Sequence, residues 1–365
     1  MNRNLRLNLT RRQLLQASAV AGIGLAVSAT GRTVHGQQKK EEKFLTLSHS
    51  VNTTVYAPHM VAQELGYFKD LGLNCTFVVP GGGARVAQVL AGGQAGFGLG
   101  DSNHPIKISE KGKPCLMLFG TDLRCSYANV VVRKELFDKG LNTVEKLASM
   151  KREDGSPRVI AATAIGSGTW VYGNVVLSGY KSGGKPVNDQ VKWTSGGSST
   201  TMLGGLKSGQ FDAIMAVPIW MDTAKAQGFG VPLYDVTSDK AWNEVFGGPV
   251  PATVGMALKS TMDADKEMTQ DYVTAIYKSM QWMKANKPEE IYEKIGPKYM
   301  GTFKKEEVIA EIVYYKAIFN YTLAISKKDF DNTKKVMIPW VTKDDFSYDK
   351  LVDMSFVEAA HKAKA

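Results

Sequence analysis

The sequence predicts an α/β protein of two lobes, each a mixed, mainly parallel sheet with flanking helices, followed by a helical C-terminal segment. Three observations carry that expectation. Short apolar runs of strand length alternate with helical stretches from Phe44 to Leu258, and strands separated by helices pair in parallel because the crossover returns over the sheet. A segment of the first series is echoed in the second. A chain of 365 residues, 44% hydrophobic, is also long enough for about two cores on the usual domain-size scale. With 36 glycines, 13 prolines and 3 cysteines, the composition excludes a disulfide scaffold, a collagen-like repeat and wholesale disorder.

In chain order, Phe44 to Leu47 reads as a strand, Thr54 to Leu65 as a helix and Cys75 to Val79 as a second strand. A helix at Ala84 to Ala91 and strands at Gly96 to Leu99 and Cys115 to Phe119 complete the first series. Val130 to Arg133 opens the second, with strand Arg158 to Ala162, helix Thr169 to Ser178, strand Val191 to Trp193, helix Thr200 to Lys207 and strand Ala213 to Val217. Ala252 to Leu258 brings the chain back. Beyond Thr261 apolar residues recur at three and four, which predicts helices over residues 268–286, 288–295, 305–325 and 348–360. The echo is Leu90-Ala91-Gly92-Gly93-Gln94 before one strand and Leu206-Lys207-Ser208-Gly209-Gln210 before another, each behind a glycine-rich turn and a short helix. It points to two lobes of similar build: residues 37–128 with 253–365, and residues 129–252.

Residues 1–36 hold five arginines and no acidic residue. A basic head, a modest apolar run over Leu14 to Ala29 and a small-residue stretch ending at Gly36 form the three-part layout of an export signal. Thr10-Arg11-Arg12-Gln13-Leu14-Leu15 resembles its twin-arginine form. No cysteine precedes Cys75, which argues against a lipid anchor, and no later run reaches the roughly 18 apolar residues of a spanning helix. The expectation is a soluble monomer in the periplasm, exported by the twin-arginine route. Cargo of that route folds in the reducing cytosol, so Cys75, Cys115 and Cys125 are expected as buried thiols, a late Cys115–Cys125 disulfide being the alternative. The formal charge of +10 becomes 40 basic against 35 acidic residues once the first 36 are set aside. These charges are scattered and form no nucleic-acid footprint, whereas a mildly basic body suits a small anion.

Ligand clefts of open parallel sheets lie beyond the carboxyl ends of the strands. The turns there are rich in glycine and small hydrogen-bonding residues: Ser50-Val51-Asn52-Thr53, Gly81-Gly82-Gly83, Asp101-Ser102-Asn103-His104, Gly166-Ser167-Gly168-Thr169 and Ser195 to Thr200. Glycine admits close backbone approach, and hydroxyls with free helix-end N–H groups hold an anion without a formal positive charge. Helix capping explains such residues equally well one turn at a time. Tyr56, Trp170, Trp193 and Trp220 lie near these turns and can stack on an organic ligand body. Enzyme signals are sparse: there is no phosphate-binding GxxxxGK[ST] loop, no GxSxG elbow and no CxxC. His49, His59 and His104 follow no metal-ligand spacing, so neither metal nor cofactor is expected.

The ordered landmarks resemble one family. Tyr56-Ala57-Pro58 running into Glu64-Leu65-Gly66-Tyr67-Phe68-Lys69-Asp70-Leu71-Gly72-Leu73, then Gly92 to Gly98, Val130 to Lys134, Gly166 to Thr169 and Leu206 to Ala213, are similar to the solute-binding proteins of the nitrate/sulfonate/taurine and thiamine-precursor group. The resemblance covers residues 44–260 and implies a type II-like periplasmic binding protein. Such a receptor closes on a solute and delivers it to an ABC permease in the inner membrane. It implies a pocket of Asn52, Tyr56, Gly83, Ser102, Ser167, Gly168, Thr169 and Ser198, to which the polar turn and the aromatic residues add Asn103, His104, Trp170 and Trp220. The expected solute is a small organic anion, sulfonate-like or carboxylate-like, bound without catalysis. A thiamine-precursor pyrimidine, an enzyme and a sensory module on the same fold are the alternatives. The stretch Ala216 to Trp220 lacks the acidic residue that often follows this strand in the family.

Overall fold

β-Branched and aromatic runs build two five-stranded sheets. β1 (Lys43–His49), β2 (Leu73–Val78), β3 (Phe97–Asp101) and β4 (Cys115–Gly120) are connected by helices Ala57–Glu64, Gly83–Ala91 and Asn103–Glu110. After a first crossing come β5 (Asn129–Arg133), β6 (Val159–Ala162), a small hairpin of β7 (Lys181–Ser182) and β8 (Lys185–Pro186), then β9 (Lys192–Ser195), β10 (Ala213–Ala216) and β11 (Gly230–Tyr234). The helices of this series are Gly168–Ser178, Ser199–Ser208 and Pro218–Ala226, and β12 (Thr253–Leu258) returns to the first sheet. The computed structural model describes residues 42–342 and 345–363, and the export-signal reading of residues 1–36 lies outside them. Among the described residues no helix is long and apolar enough to cross a membrane.

The strand orders are β2-β1-β3-β12-β4 and β11-β5-β10-β6-β9. Read from β9, the second sheet repeats the first: β6, β9 and β10 take the places of β1, β2 and β3, and β5 is inserted where β12 lies. The short sequence echo therefore marks equivalent helix-to-strand turns in two sheets of the same topology. β12 and β5 each follow a crossing, and each runs antiparallel to both neighbours. The remaining neighbours pair in parallel. Each sheet is thus mixed because the chain completes it on arrival from the other.

Asp122 ties the crossings together, its Oδ1 accepting from the N–H groups of Ala252 (2.8 Å) and Thr253 (3.0 Å). Asn129 adds a second tie, donating to the Ala216 carbonyl (2.9 Å) and accepting from Val236 N–H (2.8 Å). One apolar core runs beneath both sheets and the C-terminal helices. The thiols of Cys75, Cys115 and Cys125 are buried and unpaired. Burial pushes Cys75 up to about 12.

The C-terminal segment differs in detail from the sequence expectation. Helix Lys266–Ala285 matches it, but the helix from Lys305 ends at Ile318, and Leu323 beyond it has φ +62°. The expected helix over 348–360 is divided into Tyr348–Leu351 and Ser355–Lys362, because Val352 leaves the helix to bridge Met117 beside β4. Helix Lys327–Val341 was not anticipated.

From helix Lys305–Ile318, the buried Glu311 reaches both halves of the molecule. Its Oε2 accepts from the Thr54 hydroxyl (2.5 Å) and N–H (3.2 Å), and its Oε1 from Ile219 N–H at the start of helix Pro218–Ala226 (3.3 Å).

Candidate functional site

The residues that follow β1, β3, β6 and β10 converge. Ser50 and Val51 after β1, Asp101 at the end of β3, Thr163 after β6 and Val217 after β10 line one cavity, joined by Tyr56, Gly83, His104, Tyr127, the start of helix Gly168–Ser178 and Trp220. These are equivalent positions of the two sheets, facing each other at carboxyl strand ends, where helix N-termini also meet. The space is small, about 30 Å³, room for one or two waters.

The turn Thr163 to Thr169 is held by its own side chains. Gly166 takes a left-handed φ of +81°, which a residue with Cβ adopts at a cost. Ser167 caps the helix, accepting from Trp170 N–H, and its hydroxyl donates to the Ala164 carbonyl (2.6 Å). The hydroxyls of Thr163, Ser167 and Thr169 lie 2.8 to 3.1 Å apart, and Thr169 Oγ1 accepts from Thr163 N–H (3.0 Å). These hydroxyls stiffen the turn, so they aim the helix N-terminus at the cavity more than they offer free ligand contacts. Gly168 is required by close approach: a Cβ there would collide with the Asp101 carboxylate and the Tyr127 ring.

Three groups lining the cavity stand out electrostatically. Trp220 is fully buried, and its Nε1 has no hydrogen-bond partner among the described residues. His104, 1% exposed, leaves both ring nitrogens without a partner. Burial, reinforced by the nearby Lys107 ammonium, pulls it down to about 3, so it is neutral and presents one donor and one acceptor. Asp101, 4% exposed, accepts at Oδ1 from Asn103 N–H (2.9 Å) and Asn103 Nδ2, and at Oδ2 from the Tyr127 hydroxyl (2.5 Å). Burial pushes it up to about 6 against the pull of these donors. It is the one carboxylate on the cavity wall among the described residues, and no lysine or arginine lines that wall.

The sequence-predicted residues divide on this geometry. Tyr56, Gly83, His104, Ser167, Gly168, Thr169 and Trp220 are brought together on the wall. Asn52 is turned instead toward His49, its Oδ1 3.0 Å from Nε2. Ser102 and Asn103 are buried behind the wall, Ser102 against Met337 and Asn103 on Asp101. Trp170 lies under Lys107, whose Nζ is 5.7 Å from the ring centroid. Ser198 caps helix Ser199–Ser208 away from the cavity. Sequence reasoning placed Ser50, Val51 and Asp101 in cleft turns without assigning them to the pocket, and missed Val55, Tyr127, Thr163 and Val217 as wall residues; Tyr127 lies on a crossing, where no strand-end turn signals it.

His49 and His59 form a separate buried group, with His49 Nδ1 3.4 Å from His59 Nδ1 and His59 Nε2 2.7 Å from the Tyr272 hydroxyl. Burial drives both toward the neutral form, His49 to about 4. Among the described residues no group of three or more His, Cys, Asp or Glu could hold a metal ion.

The NMT1-like family matches residues 38–295 of the chain. No curated protein matches it by sequence. A solved structure from Bordetella bronchiseptica RB50 is 22% identical with a TM-score of 0.76, over 88% of this chain and 98% of that one. The periplasmic nitrate-binding protein NrtA from Synechocystis PCC 6803 is 13% identical with a TM-score of 0.69, over 88% and 89%. The alkanesulfonate-binding protein SsuA from Xanthomonas axonopodis pv. citri, bound to MOPS, is 12% identical with a TM-score of 0.62, over 81% and 91%. The desulfurization enzyme DSZB shares the fold at 14% identity and a TM-score of 0.61, over 89% and 100%. The architecture is that of the periplasmic binding proteins.

Proposed function

Because the chain belongs to the NMT1-like family, we propose that it is the extracytoplasmic solute-binding component of an ABC importer. It captures a small organic anion, sulfonate-like or carboxylate-like, between the two sheets and delivers it to an inner-membrane permease. On this reading residues 37–128 with 253–365 form one lobe and 129–252 the other, hinged at the Asp122 and Asn129 ties. The protein works as a monomer in the periplasm after twin-arginine export.

The observation that carries the reading is the cavity itself. Its wall comes from equivalent strand ends of both sheets, and beside the start of helix Gly168–Ser178 it holds buried side-chain donors without partners among the described residues: Trp220 Nε1 and a His104 nitrogen. Leaving a buried donor unmade costs about 1–3 kcal/mol, and a solute's acceptor atoms remove that penalty only when both walls are close. A ligand that contacts both walls at once is what shifts an open–closed equilibrium. The present space of about 30 Å³ admits a solute only as the walls part.

Thermal-shift measurements with sulfonates, carboxylates, nitrate and pyrimidines test the proposal. At least one class is expected to raise the melting temperature in a saturable way; a folded sample indifferent to all four would count decisively against it. The enzyme reading draws on the fold shared with DSZB and on a carboxylate and an imidazole in the same cavity. Mass spectrometry of the stabilising compound after incubation separates the two, unchanged ligand meaning a receptor and a converted one an enzyme.

A further inference from the structure

Asp101 sits where an anion would be expected. A Cβ on Gly168 would strike its Oδ2, so the carboxylate lies against the first turn of helix Gly168–Ser178, the place where a helix dipole favours negative charge. A second anionic group put there would meet a like charge at contact distance. That interaction is repulsive, and more strongly so in a dry site than in water. Oδ1 already serves both Asn103 donors, but Oδ2 has the Tyr127 hydroxyl alone among the described residues. A carboxylate oxygen accommodates a second donor, so the inner end of the cavity has room for one.

The opposite polarity lies next door. His104 also forms part of the wall of an adjoining chamber of about 390 Å³, which Lys107, Lys111 and Lys113 line together with Gln88 and Ile165. No acidic residue lines that chamber among the described residues. Lys107 reaches across the gap and donates to the Gly166 carbonyl (3.0 Å). Its ammonium is therefore fixed on the wall of this chamber. A single imidazole separates an acidic inner end from a basic outer one.

Resting on the receptor reading above, we propose that Asp101 selects for a solute that carries a hydrogen-bond-donating nitrogen group as well as its anionic group. The nitrogen end faces Asp101, and the anionic end lies past His104 toward Lys107, Lys111 and Lys113. Asp101 acts by exclusion as much as by attraction, since a plain anion at the helix terminus meets its charge. The residue thereby discriminates within the solute class rather than defining the receptor function.

Matched pairs that differ only at the nitrogen end provide the test: pentanoate against 5-aminopentanoate, and benzoate against 4-amidinobenzoate, by titration calorimetry at neutral pH. In the unaltered protein the nitrogen-bearing member of at least one pair is expected to bind tenfold or more tighter. Asp101→Asn, whose folding is checked by thermal melt, is expected to bring the two members within about threefold. Lys111→Gln with Lys113→Gln, on exposed side chains, is expected to weaken the tighter ligand three- to tenfold. Equal or tighter binding of the plain member, no response from either nitrogen-bearing compound, or an undiminished preference in Asp101→Asn would overturn the inference. An unchanged affinity in the double lysine variant would equally overturn the assigned orientation. The receptor reading itself falls only if the wider set of sulfonates, carboxylates, nitrate and pyrimidines is silent too.

Discussion

Gly168 shows how one missing side chain shapes the candidate site. A Cβ there would strike both the Asp101 carboxylate and the Tyr127 ring, and both of those line the cavity. Gly168→Ala is expected to destabilise the protein by about 1–3 kcal/mol, the usual cost of overpacking, read from denaturant unfolding. Gly204 is the control: it lies exposed in helix Ser199–Ser208 with nothing near a would-be Cβ. Its replacement by alanine is expected to stabilise by up to about 1 kcal/mol. The turn Gly166 to Thr169 was legible in the sequence because glycine and hydroxyl residues stand directly between a strand and a helix. Its encounter with Asp101 was not, since it joins residues far apart in the chain and no local pattern encodes a contact made across two sheets.

Among the elements, helix Lys305–Ile318 does more than buttress. Through Glu311 it holds Thr54, next to the wall residues Val55 and Tyr56, and Ile219, next to Trp220. Glu311→Ala orphans two backbone N–H groups and a hydroxyl in a buried place, so a loss of about 1–3 kcal/mol for the first of them alone is expected in chemical denaturation. The same scale shows where the sequence was readable. β-Branched runs such as Val130-Val131-Val132 announce strands by composition, and apolar spacing announced helix Lys266–Ala285. β11 was hidden because Pro232 interrupts it, and a proline demotes a run that would otherwise read as strand. The structure resolves the conflict by placing β11 at the edge of its sheet. Helix Lys327–Val341 was hidden for another reason: its first half, Lys-Lys-Asp-Phe-Asp-Asn-Thr-Lys-Lys, is charged almost throughout, and tertiary packing of Phe330 and Thr333 supplies what the periodicity does not show.

For the whole molecule, two sets of buried groups pull stability in opposite directions with pH. His49 (about 4) and His104 (about 3) titrate below the ordinary histidine value of 6.5, and His59 lies well below it. The unfolded chain then binds more protons, and these three remove stability as pH falls below 6.5. Asp101 (about 6), Asp122 (about 7) and Glu311 (about 7) are raised by burial. Their contribution is complete below the unfolded carboxylate range and is lost progressively as pH rises from there through the folded values of 6 to 7. Between about pH 4.5 and 6 the two sets nearly cancel. Unfolding free energy is therefore expected to form a plateau there, with a slope under about 1.4 kcal/mol per pH unit, and to fall on both sides. A steep monotonic profile across that window, from urea titrations at closely spaced pH values, would contradict the assignment. Pro232 bears on the molecule's behaviour in a crowd. An outermost strand that lacks one of its backbone donors is a poor template for a neighbour's chain, so the sheet ends within the molecule instead of growing into its surroundings.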